Sequence, residues 1–424
     1  MNPMEEAQQV TPRTKRAAVR AGTAILLAGA LTALAGCAGG GGGSASGGPI
    51  TMYTWVSSQS DRDQWQGFID LGKKVDPKLD VTIEGPSFND YWTKVKTRLS
   101  GSNPPCLLTT QAARAQELSG LLMPLTDLIK KYKLDTSKFD ASMLKGMTVD
   151  GSIRAIPYDA EPIVLYYNAD AFQKAGLALP SATYTREQFL SDAKKLTTGD
   201  HKALAIEPGF FIPNAWAIAD GAEAVKGGKL DLTNSKLVDS VQSYFDLVSK
   251  EGIAKAPEAA DGSDVGQSAF TSGASDMLIE GPWMYGTFAA AAKFKLGVTI
   301  VPTESGDAKG MTAGSGFGIA KNCKDPDSAF KAIMAMTDTS VLKGQAEKRG
   351  IVPSRPDAQS AWAEGKSAEA YTAVQALLKD AKAQLTTPTW NQVETLFTQY
   401  GVEGYRGDKT AKDVLTTIQN SVGQ

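Results

Sequence analysis

Short apolar runs alternate with helical patterns along most of the chain after residue 50. Strands are predicted at 50–56, 80–84, 107–110 and 164–168. Helices are predicted at 61–75 (capped by Ser60 or Asp61), 91–99, 113–130 in two pieces broken at Pro124, 169–175, 186–196, 235–250, 326–337, 367–382 and 411–422. This alternation is typical of an α/β fold with largely parallel sheets.

In open sheets of this class, ligands bind beyond the carboxyl ends of the strands. The segments that follow the predicted strands are therefore the first candidates for a site. They are residues 55–60, 88–92, 110–114 and 158–161.

The first 36 residues predict a signal peptide rather than part of the fold. Arg13, Lys15, Arg16 and Arg20 are basic, and residues 21–35 are uncharged and apolar. At roughly 15 residues this run is shorter than a membrane span. It ends in Leu-Ala-Gly-Cys at 34–37, which resembles a bacterial lipobox and predicts that Cys37 is lipidated. The alternative is an ordinary signal peptide or a single-span anchor.

Residues 37–48 are almost all Gly, Ser and Ala, the composition of a flexible tether. About 375 residues remain after it, enough for two lobes with their own cores. Without the leader, the formal charge moves from −2 to about −4, since four basic and two acidic residues are lost. The sequence has no basic patch, so nucleic acid is not expected as a partner.

Two cysteines remain beside Cys37, namely Cys106 and Cys323. In an exported protein they form either a disulfide or two separate buried thiols. The single histidine, His201, has no thiolate neighbours in the sequence and lies in a polar stretch. We therefore predict no metal site, no cofactor and no catalytic residue. Converging carboxylates of a glycosidase remain an alternative.

Aromatic residues near the predicted loops are the main candidate chemistry. An indole or phenol stacks on the flat faces of a pyranose, and amides, carboxylates or guanidinium groups bind its hydroxyls. Trp55 and Trp283 are predicted to lie in such a pocket. For Trp216 and Trp390, pocket and core positions are both open, whereas Trp65 and Trp362 fit the core.

Several motifs, in order, resemble those of the family 1 extracellular solute-binding proteins, the sugar-type receptors of ABC importers. The most specific is Ile-Pro-Tyr-Asp-Ala-Glu-Pro at 156–162, followed by Leu-Tyr-Tyr-Asn at 165–168. Others are Phe-Thr-Ser-Gly-Ala at 270–274, Glu-Gly-Pro-Trp at 280–283, Gly-Phe-Gly-Ile-Ala at 316–320 and Gly-Ile-Val-Pro-Ser-Arg at 350–355. The resemblance covers nearly the whole chain after the tether.

The resemblance implies a two-lobed α/β fold of the type II periplasmic-binding-protein class, with the ligand in the cleft between the lobes. Three hinge crossings are expected near 159–162, 313–316 and 355–359. Lobe I would comprise 49–159 plus 315–355, and lobe II would comprise 160–314 plus 356–424. The resemblance also places the strand at 317–320 antiparallel beside 107–110, which would bring Cys323 to Cys106 and favours a disulfide.

Ligand-binding positions carried over from the family lie after the strands and at the hinge. In lobe I they are Trp55, Ser57, Ser58, Gln59, Asn89, Gln111 and Arg114. From the hinge and lobe II they are Tyr158, Asp159, Glu161, Trp216 and Trp283, with Ser315, Gly316, Arg355 and Trp390 completing the set.

The resemblance implies a substrate-binding component that captures a small hydrophilic ligand, a mono- or oligosaccharide, by hinge closure. It would deliver the ligand to ABC permease subunits as a monomer, held at the outer face of the cell membrane only by its lipid anchor. Two alternatives remain open at this point. One is a lipid-anchored glycan-active enzyme, and the other is a receptor module that feeds a sensor.

Overall fold

The computed structural model describes residues 48–262 and 264–422, and for Asn89 the backbone only. The leader, Cys37 and most of the tether lie outside the described residues. The strands are β1 Ile50–Tyr53, β2 Val81–Glu84, β3 Leu107–Gln111, β4 Thr148–Val149, β5 Ser152–Ile153, β6 Ala155–Pro157, β7 Glu161–Pro162, β8 Val164–Asn168, β9 Leu204–Ala205, β10 Val225–Lys226, β11 Lys229–Leu230, β12 Met277–Glu280, β13 Leu296–Ile300, β14 Gly310–Ala313, β15 Ser315–Ile319 and β16 Ala381–Ala383.

Helices surround these strands. They are α1 Gln59–Val75, α2 Phe88–Leu99, α3 Ala115–Leu118, α4 Thr126–Tyr132, α5 Ala141–Gly146, α6 Ala169–Lys174, α7 Arg186–Leu196, α8 Phe211–Ala219, α9 Ser235–Ser249, α10 Val265–Thr271, α11 Tyr285–Ala291, α12 Pro326–Met336, α13 Thr339–Arg349, α14 Ala368–Leu378, α15 Trp390–Arg406 and α16 Ala411–Ser421. Among the described residues, no helix combines the length and apolar character needed to cross a membrane.

The first lobe is built on a five-stranded sheet in the order β2-β1-β3-β15-β6. Strands β1, β2 and β3 are parallel, and β15 runs antiparallel between β3 and β6. Helices α1, α12 and α13 pack together on this sheet, and their core includes Trp65, Phe68, Phe317 and Ile333. Chain segments before and after the second lobe are thus joined in one sheet.

The second lobe is built on the sheet β13-β8-β12-β9. Its core is formed with α8, α9, α15 and α16. Strand β8 is antiparallel to both of its neighbours, and only β12 and β9 are parallel. The prediction of largely parallel sheets is therefore wrong for this lobe. Both Tyr166 and Tyr167, on opposite faces of β8, are buried.

A third, small sheet, β16-β14-β7, lies where the chain passes between the lobes. The first passage runs through Asp159, which bridges to Pro353 of the last passage. Two expected element boundaries differ from the structure. The predicted helix 367–382 ends at Leu378, because residues 381–383 pair with β14 as β16. Helix α1 begins at Gln59, not at 61, because Ser58 is its cap.

Cys106 and Cys323 form a disulfide in the structure, with their Cα atoms 4.6 Å apart. The pairing of β3 with β15 brings them together, since Leu107 lies opposite Ile319. Cys106 precedes β3, so the disulfide lies at the amino end of that strand. The candidate site lies at the other end.

Candidate functional site

An aromatic cluster lies beyond the carboxyl ends of β1 and β2 in the first lobe. The ring of Trp55 is 5.3 Å from Trp65, 5.4 Å from Phe88, 5.5 Å from Tyr91 and 5.9 Å from Trp92, measured between centroids. Trp55 is partly exposed and Phe88 is 38% exposed, whereas the other three rings are buried. The buried rings hold Trp55 in place and leave part of its surface open to a ligand.

Ser57, Ser58 and Gln59 are exposed beside Trp55. The Ser58 hydroxyl accepts a hydrogen bond from the Asp61 amide at 3.1 Å and caps α1. The Ser57 hydroxyl accepts from the Phe88 amide at 2.9 Å, and Gln59 donates to Asp63. These predicted site residues therefore also fix the loop that carries Trp55.

The end of β3 supplies two further predicted residues. Gln111 is partly buried and lies opposite Ser315 in the sheet. Arg114 ends the 3₁₀ turn Ala112–Arg114 and is only 8% exposed. The predicted residue Asn89 is in α2, and its side chain lies outside the described part of the chain.

A second aromatic surface lies beyond β9 and β12 in the other lobe. Phe211 begins α8 and Trp283 follows β12, with their rings 6.3 Å apart, and both are partly exposed. Trp283 folds back over Gly281. A Cβ atom at Gly281 would lie only 2.1 Å from the indole ring. Glycine at 281 is therefore what allows the ring to take this position.

Two buried carboxyl groups, which sequence reasoning missed, support this surface. Glu280 accepts from the Gly281 amide at 2.7 Å and from Gln267 at 3.1 Å. Burial raises the pKa of Glu280 to about 7. Burial, followed by the charges of Glu280 and Asp264, raises the pKa of Glu207 to about 9. Glu207 therefore holds a proton at neutral pH, beside the start of α8.

Two more buried carboxyl groups bind the passages between the lobes together. Asp159 accepts from the Ser315 amide at 2.5 Å, and Glu161 accepts from the Val352 amide at 3.0 Å. The bond to Ser315 joins the first passage to the second, and the bond to Val352 joins it to the third. Burial raises the pKa of Asp159 to about 8, and burial and the charge of Asp159 raise the pKa of Glu161 well above its ordinary value. The positive charge of Lys366 acts in the opposite direction and lowers the pKa of Glu161.

We expect Asp159 to make the protein less stable as the pH rises from about 4 to 8. Its pKa is higher in the folded chain than in the unfolded one, so the folded state holds an extra proton over this range. An Asp159→Asn variant keeps an acceptor for Ser315 but cannot titrate. Its free energy of unfolding should therefore gain on that of the native protein between pH 5 and pH 8, by up to about 1.4 kcal/mol per pH unit.

Urea unfolding at pH 5 and pH 8 measures this difference. Asp90→Asn is the control, because Asp90 is exposed and the pKa of its carboxyl is lowered by Lys94. It should leave the pH dependence as in the native protein. Equal pH dependence in native protein and Asp159→Asn would contradict the role of Asp159.

Three predicted pocket residues are buried in the structure. Tyr158 packs on Phe317, with ring centroids 4.8 Å apart, in the core of the first lobe. Trp216 is fully buried, with the Arg186 guanidinium stacked 3.3 Å from its ring and the rings of Phe189 and Tyr244 packed against it. Tyr158 and Trp216 are thus core residues in this structure, which corrects their predicted place in the pocket. Trp390 is also buried, against Phe210, and its indole NH donates to Glu394 at 3.0 Å.

Gly316 and Arg355 also differ from the prediction. Gly316 is inside β15, where a Cβ atom would lie 2.8 Å from the carbonyl oxygen of Ile156. Its role is close strand packing. Arg355 donates to the carbonyl of Thr337 and stacks over Phe139 at 4.6 Å, so its guanidinium fixes the last passage in place.

The remaining predicted residues thus lie at the two aromatic surfaces, at the end of β3 and at the hinge. Residues that the predicted set of site residues leaves out lie at the starts of α2 and α8, between β9 and α8, at the end of β12 and on α15. They are Phe88, Glu207, Phe211, Glu280, Asn391 and Glu394. A usable signal was present for Glu207 and Phe211: an apolar run at 203–206 is followed by Glu-Pro-Gly and then a helix.

Comparison with known proteins matches residues 70–376 to the family model described as bacterial extracellular solute-binding protein. The maltodextrin-binding protein MdxE of Bacillus subtilis is 22% identical over 402 residues, covering 83% of this chain and 91% of MdxE.

Among solved structures, an ABC substrate-binding protein of Listeria monocytogenes in complex with cycloalternan has a TM-score of 0.77 at 21% identity. UgpB of Mycobacterium tuberculosis in complex with glycerophosphocholine has a TM-score of 0.72 at 20% identity. Each likeness covers 88% of this chain and 97% of the other chain. These likenesses confirm the predicted two-lobed, type II binding-protein fold. With the family model matching well over half of its length, the chain belongs to the bacterial extracellular solute-binding proteins.

Proposed function

We propose that this chain is the lipid-anchored receptor of an ABC importer and captures a mono- or oligosaccharide between its lobes. The observation that carries the proposal is a partly exposed aromatic surface on each lobe. Trp55 with Phe88 and Trp283 with Phe211 both lie beyond the ends of strands, where such folds bind ligands. Closure of two such surfaces on a sugar ring matches its flat faces and polar rim.

The sugar class is supported by the relatives, which include a maltodextrin-binding protein and a protein solved with cycloalternan. In this proposal binding energy drives lobe closure and no bond is made or broken, so the chain is not an enzyme. In this proposal the lobes keep the bounds expected from the sequence, 49–159 plus 315–355 and 160–314 plus 356–424. Lipidation at Cys37 would hold the monomer at the outer face of the membrane, near its permease.

A thermal-shift screen against a carbohydrate panel tests the ligand class. We expect at least one mono- or oligosaccharide to raise the unfolding midpoint, because a ligand that binds only the folded state stabilises it by mass action. The panel includes glycerophosphocholine, because a similar fold was solved with it. A rise with glycerophosphocholine and with no sugar would overturn the sugar proposal. Hydrolysis of any panel glycoside would overturn the receptor proposal.

A further inference from the structure

Side chains from two distant parts of the chain contact the guanidinium group of Arg114. It donates to Asn391 at 3.1 Å and to Glu394 at 2.5 Å, and it lies 3.4 Å from Glu117 of α3, the helix that follows it. The guanidinium also stacks over the ring of Trp92 at 5.1 Å. A guanidinium has five N–H donors in a fixed fork, so these partners hold it in one orientation.

The contacts to Asn391 and Glu394 join the two lobes. Arg114 follows β3 of the first sheet, whereas α15 packs against α9 and α16 of the second lobe. The partners are 277 and 280 residues apart in sequence. This link is separate from the three passages of the chain, and it lies at the strand ends where the first aromatic cluster begins.

The link is shielded from water. The side chains of Arg114 and Glu394 are 9% and 24% exposed. Glu394 also accepts the indole NH of Trp390, which packs on Phe210 of the second lobe. Trp92, Arg114, Glu394 and Trp390 therefore form a continuous chain of contacts from one core to the other. Charged hydrogen bonds at low exposure are stronger than surface ion pairs.

We propose that Arg114, Asn391 and Glu394 form a latch that stabilises the closed arrangement of the lobes and raises its population before a ligand binds. Arg114 then acts as a positioning residue, in addition to its predicted place beside the ligand. The effect of the latch on ligand affinity rests on the proposed receptor function. A receptor whose closed arrangement is already partly populated loses less free energy on binding than one whose closure the ligand must drive entirely. Breaking the latch should therefore weaken binding and speed dissociation.

Small-angle X-ray scattering of the unliganded protein tests the latch directly. We expect Arg114→Gln and Glu394→Gln to increase the radius of gyration, and the double variant to go no further than either single one. Asn391→Ala, a milder change, should give a smaller increase. Arg98→Gln is the matched control, because the Arg98–Glu84 ion pair lies within the first lobe. It should leave the radius of gyration unchanged.

Unchanged scattering in Arg114→Gln, Glu394→Gln and Asn391→Ala, with folding verified by circular dichroism, would overturn the latch. This outcome does not depend on any ligand, so it is distinct from failure of the receptor proposal. With a sugar found by the thermal screen, Arg114→Gln and Glu394→Gln should raise Kd by about 10-fold through faster dissociation. A raised Kd with unchanged unliganded scattering would identify Arg114 as a ligand contact only.

Discussion

Replacing Cys106 and Cys323 together by alanine is expected to lower the free energy of unfolding by about 3 kcal/mol. The disulfide closes a loop between residues that are 217 positions apart. It therefore restricts the unfolded chain strongly, and long loops give the largest effect in the chain-entropy model. Both cysteines are only partly buried, so the small side chain should leave little cavity.

Urea unfolding of the native and double-variant proteins measures this loss. A reducing agent should lower the free energy of unfolding of the native protein by a similar amount. It should cause no further loss in the double variant. Ligand affinity should be unchanged, because the disulfide is at the amino end of β3 and the site is at the carboxyl end. Equal stability of native and variant proteins under oxidising conditions would show that the disulfide contributes nothing.

The first lobe could be predicted well from local sequence. Helix α1 carries Trp65, Phe68 and Ile69 at helical spacing, and β3 is a short apolar run. The pattern of α1 is strong because one side of the helix is buried and the other is exposed, whereas β3 stands out as a short run that is buried on both faces. The start of α1 was placed two residues late, since Ser58, Ser60 and Asp61 are all suitable caps.

The second lobe was harder because its elements lack that contrast. Helix α8 is buried on nearly all sides, so no helical period separates a buried from an exposed face. Strand β16 has the alternating sequence Ala-Lys-Ala next to a helix, and only its pairing with β14 makes it a strand. Such pairing is a tertiary effect that local propensity does not contain.

The sequence predicts aromatic residues near loops as the candidate site, and distant contacts decide which of their rings stay exposed. Trp216 and Trp283 are both tryptophans near loops, and the sequence favours the pocket for Trp283 but leaves pocket and core positions open for Trp216. Arg186 covers Trp216, whereas Trp283 keeps part of its surface open. The contact between Arg114 and Glu394 joins residues 280 positions apart, and no local pattern indicates it.

Gly281→Ala is expected to weaken sugar binding by about 10-fold or more, and Trp283→Ala by up to about 100-fold. The backbone at 281 has φ −83°, which alanine adopts without strain. The added methyl group would lie 2.1 Å from the indole of Trp283, so the ring must leave its place beside Phe211. Gly281→Ala therefore displaces the ring of Trp283 without removing either aromatic side chain of this surface.

Isothermal titration with a sugar identified by the thermal screen measures both effects. Gly286→Ala is the matched control, because no atom lies within 4 Å of a Cβ atom there and the residue is exposed on α11. It should bind as the native protein does. Native affinity in Trp283→Ala would remove this surface from the site. Weak binding in Trp283→Ala together with native affinity in Gly281→Ala would show that the ring binds sugar from more than one position. Stacking itself, and not the fixed orientation of the ring over Gly281, would then provide the affinity.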